Sequence, residues 1–323
     1  MKKVRVSAPG KLMLFGEHAV IYDRPCLVTA VNKRIWVEVS ENNKDEIIVN
    51  APDVGISKYH CKLSNLGKQK RIPKGVRFIE RGLINFYEEY GIKKAVRIKT
   101  KSEFSSKFGF GSSSAVTVAL LAVMAKLWKI RMEKRKLFSL AYKTVLDVQG
   151  VGSGFDLAAA IWGGTIYFVT GGKVILPIKI KKWPLVVGYT GIKADTPTLV
   201  RKVNNLYKKY PKVVNQIFDN MAQITKRAKR EAIKQNYKAL GELMNINQGL
   251  LDSLGVSTSE LSRLNLAARN AGAYGAKLSG AGGGDCMIAL VGKTEKNRVI
   301  EAMEKNGKSV LLVETNAEGV RIE

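Results

Sequence analysis

Two histidines and three cysteines in 323 residues leave little material for metal or redox chemistry. His18 and His60 stand alone, which argues against a His-based metal site. Cys26, Cys61 and Cys286 show no paired spacing, so neither a disulfide framework nor a zinc site is implied, and a reducing cytoplasm is the expected compartment. The longest apolar run, Ala115 to Leu127, is broken by Lys126 and is too short to span a bilayer. A secretory leader is not expected either, because Pro9, Gly10 and Lys11 interrupt the basic N-terminus before any apolar region develops. The chain contains no Gly-x-x-x-x-Gly-Lys-Ser/Thr, and no Gly-x-Gly-x-x-Gly follows a strand. A nucleotide, if bound, is held by another device.

Acidic residues are also scarce: 54 Lys and Arg face 27 Asp and Glu, a net charge of +27. Nucleic-acid binding is one reading of such a balance. The basic residues, however, are spread along the whole chain and interleave with glutamates over 132–136 and 294–305. No helix-turn-helix, RNA-binding sheet motif or zinc finger accompanies them. The charge therefore reads as a solvated basic surface that concentrates anionic ligands, not as specific nucleic-acid recognition.

Glycine is where the chain is informative. Lys107-Phe108-Gly109-Phe110-Gly111-Ser112-Ser113-Ser114 follows a strand-like segment and opens an apolar helix at about Ser113. Glycines and small hydroxyls at a helix mouth build an anion site, because free N–H groups point outward and no Cβ blocks approach. Alone, the segment is equally ordinary capping chemistry. Two others point the same way. Ser279-Gly280-Ala281-Gly282-Gly283-Gly284-Asp285 lies between two apolar elements, and a chain retains that entropic cost where backbone must approach closely or take φ > 0. Ser7-Ala8-Pro9-Gly10-Lys11 and Gly16-Glu17-His18 flank an apolar strand, Leu12–Phe15.

About two domains suit this length, divided as 1–180 and 181–323. Strands are expected at 4–6, 12–15, 27–31, 35–39, 47–49 and 96–99, with helices at 76–90, 113–127, 134–146 and 157–161 and a hairpin at 165–176. Residues 50–73 read as a long irregular insertion. The second half predicts a strand at 185–189, helices at 198–208, 213–235, 237–250 and 259–271, then strand, glycine loop, strand, helix 296–306 and strand 309–313. Grouped helices with antiparallel-looking strands indicate α+β.

The three glycine-rich segments, in this order and over nearly the whole chain, resemble the motifs of the GHMP kinases, which include galactokinases, homoserine kinases, mevalonate kinases and phosphomevalonate kinases. Ser7 to Val20, Gly241 to Asn247, Leu254 to Ser257 and the tail Glu318 to Glu323 are most similar to the mevalonate kinase branch in its archaeal form. Three features look more like phosphomevalonate kinases: Lys107 to Ser113 without a preceding proline, Val148 to Asp156, and Gly284-Asp285-Cys286. His18 speaks against that branch, which typically carries tyrosine there.

The resemblance implies a two-domain fold, an N-terminal ribosomal-S5-like half and a C-terminal ferredoxin-like half, with the site between them. It implies ATP- and Mg²⁺-dependent phosphorylation of the 5-hydroxyl of mevalonate in isoprenoid biosynthesis, with 5-phosphomevalonate or another small alcohol as the alternative acceptor. No membrane partner is implied, and a homodimer is admitted. Asp156, at the start of an apolar segment, would be the base; as a residue type it could equally cap the helix. Lys11 would lie beside it and stabilise the developing alkoxide. Glu17, His18, Lys193, Thr196, Ser279 and Gly282 would meet the acceptor. Lys107, Gly109, Phe110, Gly111, Ser112, Ser113 and Ser114 would cradle the nucleotide, with Ser113 and Asp147 as metal ligands.

Overall fold

A computed structural model describes residues 3–69, 71–306 and 309–323. Its strands are β1 (Lys3–Phe15), β2 (Cys26–Glu41), β3 (Glu46–Ala51), β4 (Ile56–Lys62), β5 (Val96–Ser102), β6 (Thr165–Val169), β7 (Val174–Ile178), β8 (Leu185–Tyr189), β9 (Gly275–Ser279), β10 (Cys286–Leu290), β11 (Ser309–Leu311) and β12 (Arg321–Ile322). Its helices are α1 (Arg77–Tyr90), α2 (Ser112–Leu127), α3 (Lys134–Gln149), α4 (Phe155–Trp162), α5 (Thr196–Lys209), α6 (Pro211–Ile233), α7 (Tyr237–Ser253), α8 (Ser259–Asn270) and α9 (Lys296–Lys305).

The larger sheet runs β12-β1-β2-β5-β3-β4, with β6 on β2 and β7 on β6, and the smaller runs β11-β8-β10-β9. Pairing is antiparallel throughout except β3 with β5. This is the expected α+β arrangement. Two expectations need revision. The paired short strands at the start of the chain are single long strands, because the irregularity at Pro9-Gly10 is absorbed by a register shift: Pro9 faces Arg34 while Gly10 faces Val31. The intervening Asn32 bonds the Glu314 carbonyl instead. The insertion contains an edge strand, β4, whose side chains are mostly polar; only Cys61 is buried, so no apolar alternation announced it.

Two faces of the smaller sheet go to different cores. Val187, Tyr189, Ile288 and Leu290 join the core of the larger sheet, while Val186, Met287 and Ala289 join the core under α6, α8 and α9. That sorting is the two-residue period of a strand. In β9 the same period sends Ala276 and Leu278 to the helical side and leaves Lys277 to meet Glu17, just beyond β1, and Ser279 to meet Met13 of β1.

α2 is apolar nearly all round and packs on both β1 and β2, and the short α4 packs on β1. Each fully buried Leu or Val contributes about 1.5–3 kcal/mol, so Val118, Leu120, Leu121 and Val123 anchor α2 firmly. The packing carries the N-termini of α2 and α4 to Lys11 on β1.

Candidate active site

Lys11 holds the glycine-serine loop at two consecutive carbonyls. Its main-chain N–H donates to the Phe110 oxygen at 3.0 Å and its Nζ to the Gly109 oxygen at 2.9 Å. The ammonium also lies 3.2 Å from Asp156 Oδ1 and 5.3 Å from the centre of the Phe155 ring. The side chain is buried, so its orientation is fixed before any ligand arrives.

Asp156 stands in the first turn of α4, after Gly154 at φ 92°. A carboxylate there is favoured by the N–H groups of the helix start. Its Oδ1 is sequestered from solvent and accepts no hydrogen bond; Lys11 attracts it without donating to it. Buried oxygens are rarely left this way, and a hydroxyl brought to this spot would complete it. Gly111, at φ 75°, lets the pair come together: a Cβ on it would sit 3.3 Å from Asp156 Oδ1 and from two carbons of Lys11.

Gly111 begins α2 in the left-handed region with no side-chain cap. The first helical acceptor, the Gly111 oxygen, is taken by the Ala115 N–H. The N–H groups and the hydroxyls of Ser112, Ser113 and Ser114 have no partner among the described residues. Three free amides, three hydroxyls and a helix dipole suit phosphate oxygens. Phe110 belongs to the site only through its carbonyl, because its ring packs against Phe104 and Phe108 in the core. Lys107 is exposed at the loop entrance.

His18 takes φ 60°, an uncommon region for a residue with a Cβ. Its Nε2 lies 2.9 Å from the Ala281 carbonyl. A carbonyl only accepts, so Nε2 carries the proton and Nδ1 keeps its lone pair. Burial holds the imidazole pKa below its ordinary value, although the Ala281 bond pulls the other way. The ring is therefore neutral, and the free Nδ1 accepts a proton-bearing group instead of donating to a carboxylate.

Several expected acceptor contacts are placed differently. Glu17 is fully buried and turned away: it forms a salt bridge with Lys277 and accepts from Asn247 Nδ2 at 3.2 Å. Ser279 Oγ donates to the Met13 oxygen at 2.9 Å and accepts from the Met13 N–H at 3.0 Å, so it fastens β9 to β1. Gly282 is a close-approach glycine toward protein, since a Cβ would collide with the Val256 carbonyl. Gly280, at φ 106°, faces open space instead. Lys193 and Thr196 are exposed in the segment entering α5.

Asp147 is likewise engaged elsewhere. Its Oδ2 accepts from Asn85 Nδ2 and Lys143 Nζ, each at 3.0 Å, with Arg81 at 4.0 Å. Burial raises its pKa, but these donors together outweigh burial and lower it. A carboxylate already surrounded by two cations is a poor metal ligand. The acidic residue that does face the loop is Asp285. A Cβ on Gly109 would lie 2.5 Å from Asp285 Oδ2. Burial raises the Asp285 pKa, opposed by the Ala194 amide, Lys11 and Lys193. The Gly284-Asp285 pair was visible in the sequence, but nothing local shows that it folds against Gly109.

No group of three or more His, Cys, Asp and Glu side chains forms a metal centre among the described residues.

The chain is similar to known kinases. Residues 77–164 match the GHMP kinases N terminal domain and residues 228–309 the GHMP kinases C terminal domain. The chain is 37% identical over 336 residues to a mevalonate kinase of Pyrococcus furiosus, covering 99% of this chain and 98% of that one. It is 35% identical over 335 residues to the mevalonate kinase of Thermococcus sibiricus, with the same coverage of 99% and 98%. The crystal structure of the Methanococcus jannaschii mevalonate kinase superposes with a TM-score of 0.83 at 24% identity, over 98% of this chain and 99% of that one, and so shares the fold. Family models matched in both halves of the chain, with relatives 35% and 37% identical over 99% of its length, place the chain in the GHMP kinase family.

Proposed function

We propose that this chain transfers the terminal phosphoryl group of ATP to the 5-hydroxyl of mevalonate, giving 5-phosphomevalonate. The observation that carries the reaction type is the buried Asp156 Oδ1, ion-paired with Lys11 but accepting no hydrogen bond. The full-length similarity to mevalonate kinases supports the acceptor.

Phosphoryl transfer asks the protein mainly for position and charge. The acceptor hydroxyl donates to Asp156 Oδ1; as its oxygen attacks the terminal phosphorus, the bond from that phosphorus to the bridging oxygen breaks, ADP leaves, and the hydroxyl proton passes to Asp156. The Lys11 ammonium, held by the Gly109 carbonyl, stabilises the growing negative charge on the attacking oxygen. The neutral His18 accepts from an acceptor hydroxyl at Nδ1. Ser112, Ser113 and Ser114 bind phosphate oxygens through their free amides and hydroxyls, and Lys107 adds positive charge at the entrance. Lys193 and Thr196 border the acceptor from the second half. Mg²⁺ bound with the nucleotide would neutralise phosphate charge, and the Ser113 hydroxyl is one protein oxygen that would help hold it. Every group used lies in one chain. Three buried free cysteines fit a reducing cytoplasm as the working compartment.

The test is an ADP-release assay run side by side with mevalonate, 5-phosphomevalonate, homoserine and galactose. We expect kcat/KM for mevalonate to exceed that for 5-phosphomevalonate by at least roughly tenfold, about 1.4 kcal/mol of discrimination. Equal or greater efficiency on 5-phosphomevalonate transfers the chain to the phosphomevalonate branch and leaves the site assignments standing.

A further inference from the structure

Two carboxylates bracket the phosphate loop, one from each half of the molecule. A Cβ placed on Gly111 would touch Asp156, and one placed on Gly109 would strike Asp285. Asp285 is held to reach this position. It occupies the left-handed region at φ 54°, its N–H donates to the Ile192 oxygen at 2.7 Å, and its own carbonyl accepts from the Thr190 N–H and Oγ1, each at 3.0 Å. Oδ1 accepts from the Ala194 N–H at 2.9 Å. Oδ2, the atom facing Gly109, has no hydrogen bond and no ion pair among the described residues. The neighbouring thiol of Cys286 donates to the Phe108 carbonyl at 3.1 Å, so the loop is tied to this strand start one residue before Gly109.

The charges in this small space do not balance for a nucleotide. Asp156 and Asp285 each bring a carboxylate; among the described residues Lys11 is the buried cation that acts on both, and the exposed Lys193 acts on Asp285 as well. A triphosphate seated on the free amides of α2 adds several more negative charges. An unpaired carboxylate oxygen aimed at an anion-binding loop repels the ligand the loop is built for, unless a cation lies between the two. Mg²⁺ takes one or two carboxylates together with phosphate oxygens, and Asp147 is already occupied by Lys143 and Asn85.

We infer that Asp285 supplies the carboxylate that meets the divalent cation of the metal-nucleotide at the phosphate loop. The inference rests on the reading of this loop as the ATP site. It gives the third glycine run a purpose beyond close packing: Gly284, at φ 147°, and the left-handed Asp285 turn one carboxylate oxygen back across the boundary between the two halves.

The test is Mn²⁺ binding to the full-length protein saturated with a non-hydrolysable ATP analogue, followed by electron paramagnetic resonance. Analogue binding is measured separately in EDTA. Asp285→Asn keeps an oxygen for the Ala194 N–H, removes only the charge, and tolerates the left-handed backbone. Asp285→Gly, which relieves that backbone, is the second variant. We expect both to weaken Mn²⁺ affinity in the ternary complex by at least about tenfold, in the range seen when groups supporting a metal site are removed. Metal-free analogue should bind the variants as well as or better than wild type. Mn²⁺ affinity unchanged in both variants, or weakened metal-free binding, overturns the inference. If wild type fails to bind the analogue in EDTA and with Mn²⁺, the nucleotide reading falls and this one with it.

Discussion

Lys277 on β9 and Glu17 just beyond β1 form a salt bridge with both side chains wholly removed from water. The two strands belong to different sheets, so this pair joins the halves of the molecule. Lys277 Nζ also donates to the Leu278 oxygen at 2.6 Å, and Glu17 accepts from Asn247. Burial lowers the lysine pKa, while the facing carboxylate pulls it back up.

Breaking one side of such a pair leaves an uncompensated buried charge. Lys277→Met and Glu17→Gln should each cost about 3–5 kcal/mol. The double variant should recover at least half of the summed loss, because desolvation of both charges disappears together. Urea denaturation of the four proteins measures the coupling. Additive losses would mean that the two groups act independently.

Asp156→Asn keeps the shape of the first turn of α4 and removes the proton acceptor. We expect kcat to fall by orders of magnitude, about 10²–10⁴ for loss of a general base, with nucleotide affinity nearly unchanged. Steady-state kinetics and analogue binding separate the two effects. Near-wild-type turnover would take Asp156 out of the mechanism.

Gly282→Ala places a methyl group against the Val256 carbonyl at φ 78°. Overpacking in a closed site costs about 1–3 kcal/mol, and the left-handed backbone adds roughly another 1. Stability should drop by that amount in chemical denaturation. Gly280→Ala, which meets open space, should lose only the backbone part.

His18 is held neutral by burial, so its folded pKa lies below the unfolded value near 6.5. The unfolded chain then binds the extra proton, and stability falls as pH drops from about 6.5 toward the folded pKa. Above 6.5 the group contributes no pH dependence. His18→Asn accepts the same backbone region and lacks the titration. Melting temperatures between pH 7.5 and 5.5 should therefore decline less steeply in the variant than in wild type. Parallel curves would show that another group controls the transition.

Much of the site was legible because its residues act through local backbone. Gly111 and Ser112–Ser114 announce a helix mouth, and Asp156 follows a Gly-x-Gly-Ser-Gly-x bend. What the sequence did not show is direction. Glu17 sits one residue from His18, yet the turn after Gly16 sends one side chain into the interface and the other toward Ala281. Ser279 is polar and near a glycine run, but strand period aims it at β1. Asp285 reaches Gly109 across a long stretch of chain, a contact that no local pattern encodes. β4 was missed because an edge strand has few apolar positions to display.

The end of the described chain returns to its beginning. β12 pairs with β1, Thr315 bridges Val31, and the buried guanidinium of Arg34 donates to the Glu318 oxygen at 2.9 Å and to the Gly319 oxygen at 2.7 Å. Synthesis on the ribosome runs in the opposite sense to this closure. The strands that carry Lys11 emerge first, and Ser7 on β1 already offers Arg34 its carbonyl and hydroxyl, but the other two carbonyl acceptors arrive only once residues 318 and 319 have left the exit tunnel. A chain halted before residues 318 and 319 leaves the β1 edge without β12 and Arg34 without two of its acceptors.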